Sequence, residues 1–170
     1  YIREFEEFDA DLVRFMKEVV LPDCPPPYIA LAHSMGGNIL LRNASVQGSW
    51  FDRMVITAPM MDFANEQLPV SRGLIWGISE VMTVLGQGRR MVPNGSDDPV
   101  NDIPFEENTL TSDPERYRRN QMLIKAVPHM ALGSPTIRWL RASFRSMKRL
   151  LAPSYVLKIH VPVLIFGAGK

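Results

Sequence analysis

The sequence predicts an α/β fold, a mostly parallel sheet with helices on its faces, interrupted by a helical insertion. Three observations carry that prediction. Residues 28–46, YIALAHSMGGNILLRNASV, run as an apolar strand into a serine and then, across two glycines, into an amphipathic helix. Two further strand-like stretches follow, DRMVITAPMMD at 52–62 and VPVLIF at 161–166. Between them, from Phe63 to about Ser154, strand patterning gives way to helical spacing. Helices alternating with strands in this order are the mark of an open sheet covered by helices.

Taken in order, residues 2–20 place Ile2, Phe5, Phe8, Leu12, Met16 and Val19 at helical spacing, with Glu4, Glu7, Asp11, Arg14 and Glu18 mostly elsewhere. That is an amphipathic helix packed on a sheet. The run Pro25-Pro26-Pro27 marks a loop entering the sheet, and Tyr28–His33 reads as a buried parallel strand. After Ser34, the residues Ile39, Leu40 and Leu41 give the next helix its inward face. The second strand centres on Met54–Thr57. Residues 68–86 are apolar and long-chained, 93–114 form a polar, proline-containing loop, and helices are expected from Glu115 to about Lys125 and from Thr136 to about Leu151. The expected division is therefore 1–63 as the first part of the sheet domain, 64–153 as a helical lid, and 154–170 as the returning strand.

Composition narrows the function classes. With 170 residues, 46% of them hydrophobic, the chain can bury a substantial core. Nineteen basic against eighteen acidic residues leave a formal charge of +1, which supplies no sustained field for nucleic acid. No run of eighteen apolar residues is present, and the opening residues, with Arg3-Glu4 and Glu6-Glu7, do not read as a signal peptide, so a cytoplasmic location is expected. Cys24 is the sole cysteine, has no second cysteine for a disulfide or a metal, and reads as incidental. Neither a cofactor nor a metal is called for.

Chemistry concentrates at Ser34. A strand reversing sharply into a helix lifts a serine hydroxyl clear of the backbone, above free N–H groups that can take up the charge of a tetrahedral oxyanion. The usual pattern is G-x-S-x-G; here Ala32 replaces the first glycine in Ala32-His33-Ser34-Met35-Gly36. An alanine methyl is small enough for a close approach of strand and helix. The competing role for Ser34 is a plain helix cap.

AHSMGG at 32–37 followed by VITAPMMD at 55–62 resembles the α/β-hydrolase branch of bacterial lysophospholipases, monoacylglycerol lipases and serine aminopeptidases. LTSDPERYRRN at 110–120 and GSPTIRWLRAS at 133–143 are most similar to the bacterial lysophospholipases, so the likeness covers nearly the whole chain. The resemblance implies Ser34 as nucleophile and the Met35 N–H as one oxyanion donor. It also implies that the second oxyanion donor precedes these residues, that the triad acid follows Lys170 closely, and that the histidine lies further on. The chain then corresponds to an incomplete central portion of a hydrolase. The substrate it implies is a lipid-like ester, a lysophospholipid or monoacylglycerol, with peripheral contact at a membrane surface. A serine aminopeptidase, or a noncatalytic relative binding a ligand or partner through the lid, remain as alternatives.

Substrate-contact candidates are Met60 and Met61, just beyond the second strand where ligands gather in open sheets, and Trp76, Met82 and His129 in the lid. Each lid residue has a plainer role as helix packing. His33 is expected to point away from the serine side, His160 to lie at the surface, and Asp62 to cap a loop.

Overall fold

A computed structural model describes residues 1–46, 48–63, 70–95, 103–108 and 111–167. Helix α1 (Glu6–Phe15) continues through a π-helical turn (Met16–Val20) into the short α2 (Leu21–Asp23), and strand β1 (Ile29–His33) leads into α3 (Met35–Ala44). Strand β2 (Arg53–Thr57) is followed by α4 (Arg72–Val84), α5 (Pro114–Ala126), α6 (Ile137–Leu150) and α7 (Pro153–Val156), before β3 (Val163–Phe166). The sheet order is β1-β2-β3, with both pairs parallel. The register aligns Ala32, Ile56 and Ile165 across the three strands. Within residues 68–86, Arg72–Val84 form helix α4 and no described residue is a strand, in keeping with the loss of strand patterning there.

The core lies on one face of this sheet. Ala30, Met54 and Ile56 pack there against Leu40, Leu41 and Ala44 of α3 and Leu150 of α6. The alternation of side chains along a strand sends Ile29, Leu31, Leu164 and Phe166 to the other face. These are all more than half exposed, Leu31 at 76%. The expected buried strand is thus buried on one side only among the described residues. A run that is apolar at every position does not distinguish one covered face from two.

The first helix departs from its expected face in one place. Phe5 and Met16 are buried, whereas Val19 is 47% exposed. The wider π turn beginning at Met16 changes the angular step per residue, so Val19 rotates away from the stripe that the α-helical period assigns it. No helix among the described residues is long and apolar enough to cross a membrane.

Charge joins the helices as much as oil does. α4 lies antiparallel to α6, with Glu80 accepting from Arg141 at 2.7 Å and from Arg145 at 2.8 Å. Arg141 and Arg145 also meet Glu4, Arg149 meets Glu6, and the buried Arg42 of α3 meets both Glu6 and Asp9 of α1. Burial opposes the ionisation of Glu80, but hydrogen bonds from Arg145, Arg141 and Trp76 outweigh it and bring its pKa to about 2. Burial likewise opposes the charge on Arg42, and its bonds to Asp9 and Glu6 more than restore it, leaving the guanidinium pKa raised.

Helix α3 approaches β2 so closely that a Cβ on Gly37 would lie 2.5 Å from Ile56 Cγ2 and 3.1 Å from Pro59 Cα. A Cβ on Gly36 would meet only the Ala32 methyl, at an ordinary 3.6 Å. Gly37→Ala is therefore expected to cost about 1–3 kcal/mol through overpacking. Gly36→Ala is expected to be neutral or slightly stabilising, because alanine is the better helix former. Urea denaturation midpoints of the two variants check this; equal destabilisation would contradict the assigned close approach.

Candidate active site

Ser34 joins β1 to α3 with φ 51° and ψ −116°, a conformation that non-glycine residues seldom adopt. Three backbone hydrogen bonds hold it there. Its N–H donates to the Thr57 carbonyl at 3.0 Å, and its own carbonyl accepts from the N–H groups of Asn38 at 3.2 Å and Met60 at 2.9 Å. Strain of this kind costs on the order of 1–3 kcal/mol and persists only where surrounding structure enforces it. A second positive φ, 42° at Ala58, lies in the turn leaving β2, where the Ala58 N–H donates to the Phe166 carbonyl at 2.7 Å.

The serine occupies the N-cap position of α3 without capping it. Its side chain accepts no bond from the first turn, and among the described residues its hydroxyl has no hydrogen-bond partner. The N–H groups of Met35 and Gly36 begin the helix, where no preceding turn offers them carbonyls. The arrangement provides an unengaged hydroxyl beside backbone donors. Ala32 fits in place of the usual glycine: even a Cβ on Gly36 would meet its methyl only at an ordinary 3.6 Å.

The histidines lie elsewhere. Nδ1 of His33 is 2.9 Å from Thr57 Oγ1, on the exposed sheet face. His129 is exposed in a 3-10 turn (Pro128–Met130) after α5, and His160 is exposed before β3. No histidine pairs with Ser34 among the described residues, and Ala168 to Lys170 lie outside them. Asp62 accepts from the Phe63 N–H at 2.9 Å and forms an ion pair with Arg72, which agrees with a loop-capping carboxylate.

Met61 and Trp76, singled out in the sequence, line one groove of about 500 Å3 between α4, α6 and the turn after β2. Phe144, Met147 and Leu151 of the α6 region complete its apolar floor, and Lys148 stands over the Trp76 ring at 4.7 Å. Met60 binds the elbow through its backbone, while Met82 and His129 do not line this groove. The α6 contributors were accessible in principle, since Phe144, Met147, Lys148 and Leu151 recur at helical spacing, but spacing alone does not say which neighbour that face meets.

The family model described as serine aminopeptidase, S33 (Hydrolase_4) matches residues 1–170. The chain is 28% identical to the probable lysophospholipase L2 of Haemophilus influenzae over 171 residues, covering all of this chain and 52% of that protein. It is 27% identical to the lysophospholipase L2 of Escherichia coli K12, covering 89% of this chain and 44% of that protein. The chain thus spans about half the length of the curated relatives it matches. Among solved structures it superposes on the Paleococcus ferrophilus monoacylglycerol lipase with a TM-score of 0.60 and 18% identity, over 95% of this chain and 53% of that one. It also superposes on a soluble variant of the Saccharomyces cerevisiae monoglyceride lipase, with a TM-score of 0.58 and 17% identity, over 96% and 50%. At those identities the structural likeness establishes the fold. Together with the match along every residue, the strained Ser34 turn places this chain in the serine aminopeptidase S33 family, an α/β-hydrolase fold related to bacterial lysophospholipases, lipases and esterases.

Proposed function

We propose that Ser34 is the nucleophile of a serine hydrolase that cleaves carboxylic esters of lipids, with a single acyl chain on glycerol or glycerophosphate as substrate. The observation that carries this reading is the serine's own backbone: a strained turn, held by three hydrogen bonds, that leaves the hydroxyl unengaged. A binding protein gains nothing from that strain. In the proposed reaction the Ser34 oxygen attacks the ester carbonyl carbon while a histidine takes its proton, and the Met35 N–H donates to the oxyanion. Collapse expels the alcohol, which recovers the proton, and leaves an acyl-enzyme that water then hydrolyses. The histidine and its carboxylate are proposed to come from chain beyond residue 167, the acid shortly after β3.

The names of the related lysophospholipases and monoacylglycerol lipases support a lipid ester. So does the groove between α4, α6 and the turn after β2, whose floor of Met61, Trp76, Phe144, Met147 and Leu151 suits an acyl chain. The segment between β2 and β3, residues 64–153, is proposed as the lid, with residues 1–63 and 154–170 as the sheet domain. No cofactor or nucleic acid enters this scheme.

Helix α4 supports a peripheral membrane contact for an otherwise cytoplasmic protein. Leu74, Ile78, Val81 and Leu85 follow one another at helical spacing and are 53%, 48%, 58% and 68% exposed. Its sole acid, Glu80, turns to the arginines of α6. Moving such aliphatic side chains out of water returns up to about 1.5–3 kcal/mol each, enough for a reversible hold on a lipid surface.

Ser34→Ala is expected to lower kcat on lysophospholipid by roughly 10⁴-fold or more. Ser34→Gly is expected to be equally inactive yet more stable than the wild type by about 1 kcal/mol, because glycine adopts this backbone without strain. Ordinary ester turnover by Ser34→Ala would sink the assignment, and a preference for amino-acid amides over lipid esters would favour the aminopeptidase activity. The double change Ile78→Glu, Val81→Glu is expected to reduce sedimentation with phospholipid vesicles while sparing turnover of a soluble aryl ester. Unaltered vesicle binding would remove the α4 contact.

A further inference from the structure

Asn38 lies one helical turn beyond Ser34 and is fully buried, at 0% exposure. A buried primary amide needs both donors and acceptors, and those found here are specific. Its Nδ2 donates to the Met60 carbonyl at 2.8 Å, and its Oδ1 accepts from the Ser146 hydroxyl of α6 at 2.7 Å. These partners fix the orientation of the amide, since the reverse orientation would set two carbonyl oxygens against each other. Ser146 in turn accepts from Arg42 Nη1 at 3.3 Å, so its proton is directed to Asn38.

The contacts close a ring around the serine. The Asn38 N–H donates to the Ser34 carbonyl; the Asn38 side chain donates to the Met60 carbonyl; the Met60 N–H donates to the Ser34 carbonyl. The elbow is therefore held from its own helix and from the turn after β2, and one side chain ties those two supports together. Leucine or alanine at residue 38 would fill a helix position equally well, but neither links α3 to Met60.

Resting on the assignment of Ser34 as nucleophile, we propose that Asn38 is a positioning residue for the reaction, setting the Ser34 turn through Met60. The Ser146 hydroxyl makes α6, a helix of the segment between β2 and β3, part of the same support. A displacement of about 1 Å at a reacting group can cost around 100-fold in rate. Loss of the link is expected to lower the rate of attack without weakening ground-state substrate binding.

The test compares wild type, Asn38→Asp, Asn38→Ala and Ser146→Ala in the catalytically complete protein, all assayed well below their thermal midpoints. Asn38→Asp keeps the shape and removes the donor. Both Asn38 variants are expected to show kcat and the rate constant of fluorophosphonate labelling reduced roughly 10- to 100-fold, with KM within twofold of wild type. Ser146→Ala, which leaves the Met60 bond in place, is expected to lose severalfold. A purely structural role would lower the thermal midpoint and leave the kinetics of the folded fraction unchanged, and that result would overturn the proposal. If neither Asn38 variant folds, Ser146→Ala decides: a wild-type labelling rate overturns the proposal, and a severalfold loss supports it. Folded wild type that fails to label and to turn over ester would remove the assignment of Ser34 itself, whereas labelled wild type with equally reactive variants removes only the role of Asn38.

Discussion

The Ser34 carbonyl accepts two hydrogen bonds, one from its own helix and one from the turn after β2, and the geometry of the site depends on both. A residue at φ 51° would relax if either side let go. The parallel pairing of β1 with β2 brings the ends of the two strands together, with His33 opposite Thr57. The turn beginning at Ala58 then returns toward α3, close enough that Gly37 has no room for a side chain. The strain of the elbow and the closeness of the helix are two aspects of one packing arrangement.

That arrangement is braced from a distance by charge. Arg42 leaves α3 for the carboxylates of Glu6 and Asp9, while Arg141, Arg145 and Arg149 lie at successive turns of α6 and reach Glu4, Glu80 and Glu6. Isolated surface pairs contribute little, but these groups share partners, and Arg42 is 3% exposed. Removing the acid partners of such a cation leaves a buried charge without compensation, which is far costlier than the pair is stabilising. The network explains how a helix remote in sequence comes to lie against α3, where Ser146 can reach Asn38.

Much of this was legible in the sequence. The strands at 29–33, 53–57 and 163–166 and the helix after Ser34 follow from apolar runs and their punctuation. Ser34 stood out as a candidate nucleophile because it sits between an apolar strand and a helix entered across two glycines. Three features were less accessible. The open face of β1 was hidden because Ile29 and Leu31 are as apolar as the residues on the covered face, and Val19 lost its inward place to a π turn that no residue pattern announces. Asn38 reads as an ordinary polar residue in a helix; its meaning comes from Met60 and Ser146, which are 22 and 108 positions away.

Activation of Ser34 as a nucleophile by its surroundings is the central proposal. The direct measurement is to treat the catalytically complete protein with a fluorophosphonate until ester turnover stops, digest it, and locate the adduct by mass spectrometry. A single adduct on the Ser34 peptide, rising in step with the loss of turnover, is the predicted result. Inactivation that leaves the Ser34 peptide unmodified, or ester turnover that persists in folded protein after Ser34 has reacted, would contradict it.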